Sequence, residues 1–167
     1  MNDTYVEWLI ERKTPGYAGI LRIGAYALTA LFVLLALFLG MPLLFLPGAG
    51  MAAACYFLLP RLEVEFEYLY LQRSLSIDSI FSKEKRKKAA EYDLDKMEIF
   101  AEEGAWQLDQ YKNMALKTVD FTSGYPDRRR FVMVIREGGD GFKVLLEPDQ
   151  NIVDAVKQIY PSKVFVK

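Results

Sequence analysis

The chain has 167 residues, 52% of them hydrophobic, with 21 Lys+Arg against 22 Asp+Glu for a net charge of −1. It contains no histidine and one cysteine, Cys55, which excludes an intramolecular disulfide framework, Ser-His-Asp and Cys-His catalysis, and nearly every zinc site. A near-zero net charge supplies no global field for nucleic acid, and eleven Phe, ten Tyr and two Trp are ample core-forming material, which argues against disorder.

At the N-terminus, Tyr5, Val6, Trp8, Leu9 and Ile10 alternate with Glu7, Glu11 and Arg12. Residues 1–14 read as a cytoplasmic or interfacial segment, either a short helix at headgroup level with Trp8 as its interfacial anchor or a frayed cytoplasmic tail. Asp3, Glu7 and Glu11 stand where a signal peptide needs positive charge. From Ile23 to Pro60 there follow 38 residues without Asp, Glu, Lys or Arg. As one helix they would extend about 57 Å, nearly twice the roughly 30 Å hydrocarbon core. Split at Gly40-Met41-Pro42, residues 15–60 predict a transmembrane hairpin. Thr14 caps the first helix with Pro15 at its first position, and Pro42 opens the second. Pro47, Gly48 and Gly50 are expected to kink the second helix or break its first turns. Gly48/Ala52 and Gly50/Ala54 are small-xxx-small pairs that let helix backbones approach, within the hairpin or toward a homo-oligomer or membrane-protein partner. Arg12, Lys13 and Arg22 precede the run, Arg61, Arg73 and a basic cluster follow it, and its central turn carries no cation. The positive-inside rule then predicts a multi-pass protein of the cell membrane with both termini cytoplasmic.

Residues 61–167 read as one cytoplasmic β-rich domain. Leu62, Val64, Phe66, Tyr68 and Tyr70 alternate with Glu63, Glu65 and Glu67 as a half-buried strand, with the glutamates on its solvated face. Gln72-Arg73-Ser74 is a turn; Leu75, Ile77 and Ile80 give a second strand. Residues 83–90 are basic and turn-like or briefly helical, and Tyr92 to Phe100 form a third strand region. Residues 104–120 carry Trp106, Leu108, Tyr111 and Leu116 as apolar points without clear period, and 122–127 form a loop. Phe131–Ile135 and Phe142–Leu146 flank Gly138-Gly139-Asp140-Gly141 as a hairpin. Beyond Pro148, Ile152, Val153, Val156, Ile159 and Tyr160 make one apolar helical stripe that ends at Pro161.

Several antiparallel strands followed by one amphipathic helix is the order of a pleckstrin-homology-like barrel: two curled sheets with a C-terminal helix plugging one open end. The fold class expected is an α+β membrane protein, a two-helix transmembrane hairpin followed by this small antiparallel barrel. The chain also resembles a family of small two-span bacterial membrane proteins known as a domain of unknown function. The resemblance rests on Asn2-Asp3-Thr4-Tyr5-Val6-Glu7-Trp8, Arg12-Lys13-Thr14-Pro15, Leu62 to Tyr68, Lys85-Arg86-Lys87-Lys88, Tyr92 to Glu98, Leu108 to Asn113, Asp120-Phe121-Thr122-Ser123-Gly124 and Leu146-Glu147-Pro148. It is similar, more loosely, to membrane-tethered bacterial PH-like domains, which more often have a tight Asn/Gly turn where this chain has Gln72-Arg73-Ser74. The resemblance implies no activity and carries no catalytic residues across.

Chemistry-bearing patterns are few. Glu63, Glu65 and Glu67, spaced by two, offer a carboxylate-only metal or glycosidase-like arrangement that no further motif supports. The glycine-rich turn lacks the Lys-Ser/Thr of a phosphate loop. The one localised signal is Lys83, Lys85, Arg86, Lys87 and Lys88, five cations in six residues, each worth about 1 kcal/mol against anionic headgroups. Arg128-Arg129-Arg130 is a second basic patch; no aromatic interleaving supports nucleic acid. The expectation is a non-enzymatic, membrane-anchored module without cofactor or metal, binding a protein partner or an anionic lipid surface. The alternative is an accessory subunit whose hairpin packs on a larger transporter or enzyme.

Overall fold

The structure is a computed structural model that describes residues 5–166. Residues 1–4 of the expected interfacial segment, and the side chain of Arg61, lie outside the described residues. The chain divides into two compact units. One is built from the residues up to Arg12 together with Glu65–Ile80 and everything from Arg86 on; the other comprises Lys13–Val64 and Phe81–Lys85.

The helical unit holds α1, Ala18–Leu39, and α2, Phe45–Leu58, in contact with each other. The break falls where glycine and proline require it. Gly40 takes the left-handed φ of 62° that closes α1, and Pro42 opens the 3-10 turn Pro42–Leu44 that leads into α2. Two expectations are corrected. α1 begins at Ala18 behind Tyr17, without a side-chain cap, so Thr14 does not cap it. Pro47 leaves α2 unbroken, because in the first turn its missing N–H has no intrahelical acceptor to lose. By length and composition α1 can cross a membrane; its most apolar stretch has mean hydropathy 2.2 and is 6% buried, unlike the core helix of a soluble protein. A signal sequence near the N-terminus passes the same test of length and composition, so α1 gives weak support to membrane association. Pro42–Leu58 is shorter, and α1 alone among the described residues meets the length criterion.

The other unit carries two sheets. The first has the order β1-β2-β3-β4: Val6–Glu11, Val64–Leu71, Ser74–Phe81 and Lys85–Asp93. Here the interfacial helix expected around Trp8 is corrected to a strand. β1 pairs antiparallel with β2 from Val6↔Tyr70 to Glu11↔Glu65, and Ile10 is buried. The alternation read as one side of a helix is the period-two pattern of a strand. The sheet domain therefore does not begin at residue 61; its first strand precedes the helices, which are inserted between two paired strands. Both hairpin turns use non-glycine residues at positive φ: Gln72 (46°) and Arg73 (71°) form a two-residue loop whose twist demands it, and Ser82 (49°) and Lys83 (61°) open the three-residue loop 82–84. Residues 83–90, expected as a turn or short helix, enter β4 at Lys85.

The second sheet has the order β6-β8-β7-β5-β9: β5 Met97–Glu102, β6 Lys117–Asp120, β7 Phe131–Glu137, β8 Asp140–Leu146 and β9 Val164–Phe165. It is mixed rather than purely antiparallel, because β6 runs parallel to β8 and β9 parallel to β5. β7 is buried on both faces. Val132 and Val134 join Ile99, Ala101, Ala105 and Leu108 in one cluster, covered by Tyr111, Leu116 and Phe165. Phe131, Met133 and Ile135 point the other way into the core. The C-terminal helix α3, Gln150–Ile159, is capped by Asp149, whose carboxylate accepts the Ile152 N–H at 3.0 Å. It buries Ile152, Val153 and Val156 of the expected stripe, whereas Ile159 is 40% exposed and Tyr160 half-buried.

Candidate functional site

The basic cluster occupies the start of β4, an edge strand whose first five residues are all exposed. Its five cations are not equivalent. Arg86 ion-pairs with Glu67 and lies 3.9 Å from Asp78; Lys88 pairs with Glu91 at 2.6 Å. Lys85 and Lys87 have no ion pair among the described residues. In the helical unit, the turn that leads into β4 is fastened where α2 gives out. The Ser82 N–H donates to the Glu63 carbonyl at 3.0 Å and its hydroxyl to the Pro60 carbonyl at 3.3 Å. Glu63 in turn meets Arg22 of α1 at 2.8 Å.

The glutamates expected on a solvated face are mostly not solvated. Glu63 precedes β2, and Glu65 and Glu67 are buried, Glu67 to 3% exposure. β1 makes the difference, since its register sets Leu9 opposite Glu67 and Glu7 one step along. Burial raises the pKa of Glu67, reinforced by its hydrogen bond with Glu7. The Tyr5 hydroxyl, 2.8 Å from Glu7, lowers that of Glu7, helped by Glu67. Of the two carboxyls Glu67 takes up a proton more readily, an effect that its pairing with Arg86 opposes. The pairing was invisible in the sequence because residues 5–11 did not read as a strand.

A second network locks β1 to the rest of the domain. The Trp8 indole N–H donates to the Glu147 carbonyl at 3.1 Å. The buried Tyr68 hydroxyl donates to the Phe121 carbonyl at 2.8 Å and accepts the Glu147 N–H at 3.2 Å; burial raises its pKa. The Glu147 carboxylate is buried beside Arg130, with Nε at 3.7 Å. Trp8, expected as an interfacial anchor, thus has its polar handle engaged inside the fold. Arg129, from the second basic patch, pairs with Glu102 at 3.0 Å.

Two surface grooves are present. One, about 490 Å³, lies between Tyr5, the first two residues of β1, Val6 and Glu7, and Asn151, Asp154, Ala155 and Gln158 of α3. The other, about 560 Å³, is lined by Trp106, Tyr111, Phe165, Ile99, Glu98 and Asp109 among others. Trp106 stands 77% exposed on the 3-10 segment Trp106–Tyr111. Nothing in the spacing of 104–120 marked it apart from a core residue. Among the described residues no three His, Cys, Asp or Glu side chains form a group that could hold a metal.

The four small residues singled out on α2 separate. Gly48 is buried against α1, where a Cβ would lie 3.4 Å from Phe32 Cβ and 3.6 Å from Val33 Cγ2. Gly50 has nothing within 4 Å of that position. Ala52 is exposed, and Ala54 half-buried. The structure thus uses one of the two glycines inside the hairpin and leaves the other open.

No curated protein and no solved structure matches the chain. A family model, that of the bacterial PH-like domain DUF6106, matches residues 2–166, spanning both the helices and the two sheets. The chain belongs to this family of bacterial PH-like domains of unknown function.

Proposed function

We propose that the chain is a non-enzymatic, membrane-anchored interaction module. The helices α1 and α2 cross the bilayer as a hairpin, both termini are cytoplasmic, and the basic turn at the head of β4 meets anionic headgroups while the sheet domain engages a partner. The observation that supports this most is the fastening of Ser82 to Pro60 and Glu63, which ties Lys83 and Lys85 to the chain just beyond the last turn of α2. The lipid contribution is smaller than five cations suggest. With Arg86 and Lys88 engaged by carboxylates and Lys83 also in contact with a neighbour, Lys85 and Lys87 together supply about 2 kcal/mol.

Two measurements test the reading. The full chain should remain in the membrane pellet after alkaline carbonate extraction; recovery in the soluble fraction rejects the anchor. An environment-sensitive dye at Lys85→Cys, with Cys55→Ala, should shift to the blue in phosphatidylcholine vesicles when a third of the lipid is phosphatidylglycerol. High salt should reverse the shift, and no dependence on lipid charge rejects the headgroup contact.

A second reading, an accessory subunit that packs on a larger membrane protein through α2, draws support from the open flank at Gly50 and Ala52. On it, Gly50→Leu abolishes co-purification of the partner while the hairpin stays intact. Gly48→Leu, which drives a side chain into Phe32 and Val33, separates α1 from α2.

A further inference from the structure

The groove beside Trp106 is a candidate site on grounds unrelated to the membrane. Three aromatic side chains, Trp106, Tyr111 and Phe165, line one opening of about 560 Å³ together with two carboxylates, Glu98 and Asp109, and no cationic side chain. That volume falls within the range of small-molecule sites. Elsewhere in the domain three ring faces carry a cation from within: Lys117 lies 5.6 Å from the Phe142 centroid, Arg128 5.4 Å from Tyr125, and Lys163 5.5 Å from Tyr160. Among the described residues, Trp106, Tyr111 and Phe165 have no such cation and do not stack on one another. An indole left 77% exposed beside two further rings is apolar surface that the fold itself does not cover.

We propose that this groove binds a small organic cation, an alkylammonium or guanidinium group held over the ring faces with Glu98 and Asp109 as neighbouring acceptors. The chemistry follows from the lining. A ring quadrupole presents its negative face to a cation, and the effect strengthens when the cation is weakly hydrated. An ionised carboxylate accepts several hydrogen bonds at once, so Glu98, held by Arg136 at 2.6 Å, and Asp109, held by Lys112 at 2.6 Å, retain acceptor capacity for a ligand. Gln107, Gln110 and Ser162, also in the lining, offer oxygens to an N–H-bearing ammonium or guanidinium. Inorganic cations gain little, because Na⁺ and K⁺ keep their water.

The test uses the full chain in a nonionic detergent, labelled with 5-fluorotryptophan. Its two tryptophans give two ¹⁹F signals, assigned through Trp106→Phe. Titration with tetramethylammonium, and in parallel with methylguanidinium, should move the Trp106 signal saturably with Kd of about millimolar order, leaving Trp8 unmoved. Sodium chloride at equal ionic strength should move neither. Trp106→Ala should weaken binding measured by calorimetry at least about ten-fold, and Glu98→Gln with Asp109→Asn by several-fold; the Trp8 signal reports that each variant is folded. Saturation by tetramethylammonium alone identifies a cage for alkylammonium; saturation by methylguanidinium alone identifies guanidinium as the ligand. A non-saturating drift, equal shifts for both tryptophans, or unchanged affinity in Trp106→Ala overturns the proposal.

Discussion

Ile10 precedes the membrane-length helix, yet it is 1% exposed on a strand whose register places it opposite Phe66. A sheet domain confined to residues 61–167 would be indifferent to it. With β1 integral, Ile10→Ala removes three buried carbons from a packed position and leaves a cavity, which for such truncations destabilises by about 2–5 kcal/mol. That is a large share of the roughly 5–15 kcal/mol by which a domain of this size is stable. At about 2–4 °C per kcal/mol for a chain of this length, the midpoint of thermal unfolding should fall by at least about 4 °C. Leu9, next in the strand but 45% exposed, is the control, and Leu9→Ala should shift the midpoint by no more than about 2 °C. The assay is thermal unfolding of the full chain in mild detergent, followed by tryptophan fluorescence, since Trp8 is hydrogen-bonded to Glu147 and loses that contact when β1 detaches. Equal midpoints for Ile10→Ala and wild type would refute the integral strand. A fragment beginning at residue 61 should, for the same reason, show the exposed apolar surface of an incomplete sheet and bind a hydrophobic dye.

Tyr68→Phe should cost about 1–3 kcal/mol for each backbone group it orphans, the Phe121 carbonyl and the Glu147 N–H, read by urea denaturation. Glu67→Gln should change the pH dependence of stability rather than its size alone. The raised pKa of Glu67 means the folded state holds a proton the unfolded state lacks, so that contribution is present at low pH and is lost as pH rises through the folded value. The lowered pKa of Glu7 acts oppositely, its contribution being lost only as pH falls through the folded value, below the ordinary carboxylate range. Wild type should therefore gain stability as pH falls through the folded pKa of Glu67, above its ordinary value, and lose the Glu7 contribution as pH falls through that of Glu7, below its ordinary value; Glu67→Gln should lose the gain while keeping the fall.

What was legible in the sequence follows the strength of the local period. The β7–β8 hairpin around Gly138 and Gly139, the strand through Phe66 and Tyr68, and the stripe of α3 were readable because each is decided by burial and turn chemistry within a few residues. β1 was not. Its six residues have one paired neighbour, more than fifty residues downstream, and beside an apolar run Trp8 and Leu9 suit an interface as well as a strand edge. β4 failed for a related reason: Lys85 to Lys88 lack an apolar alternation because the start of this edge strand is exposed on both faces. The candidate sites were least legible of all. The ion pairs of Arg86 and the opposite pKa shifts of Glu67 and Glu7 depend on strand order, and Trp106 differs from a core tryptophan only through the edge it occupies beside β9.

Inserting two helices between paired strands raises a question of closure. Roughly fifty residues separate Glu11 from its partner Glu65, and bringing the ends of a flexible loop together becomes harder as its length grows, by (3/2)RT ln n. The helical unit shortens that loop. α1 and α2 pack on each other, and Arg22 near the start of α1 meets Glu63 just beyond the end of α2 at 2.8 Å. With those residues joined, only about ten residues remain free between β1 and β2, which lowers the closure cost by about 1.5 kcal/mol relative to an open loop. An exposed ion pair supplies little energy of its own. Here its contribution is positional, since it is formed by the two segments that must lie together before Trp8 and Ile10 can find Tyr68 and Phe66.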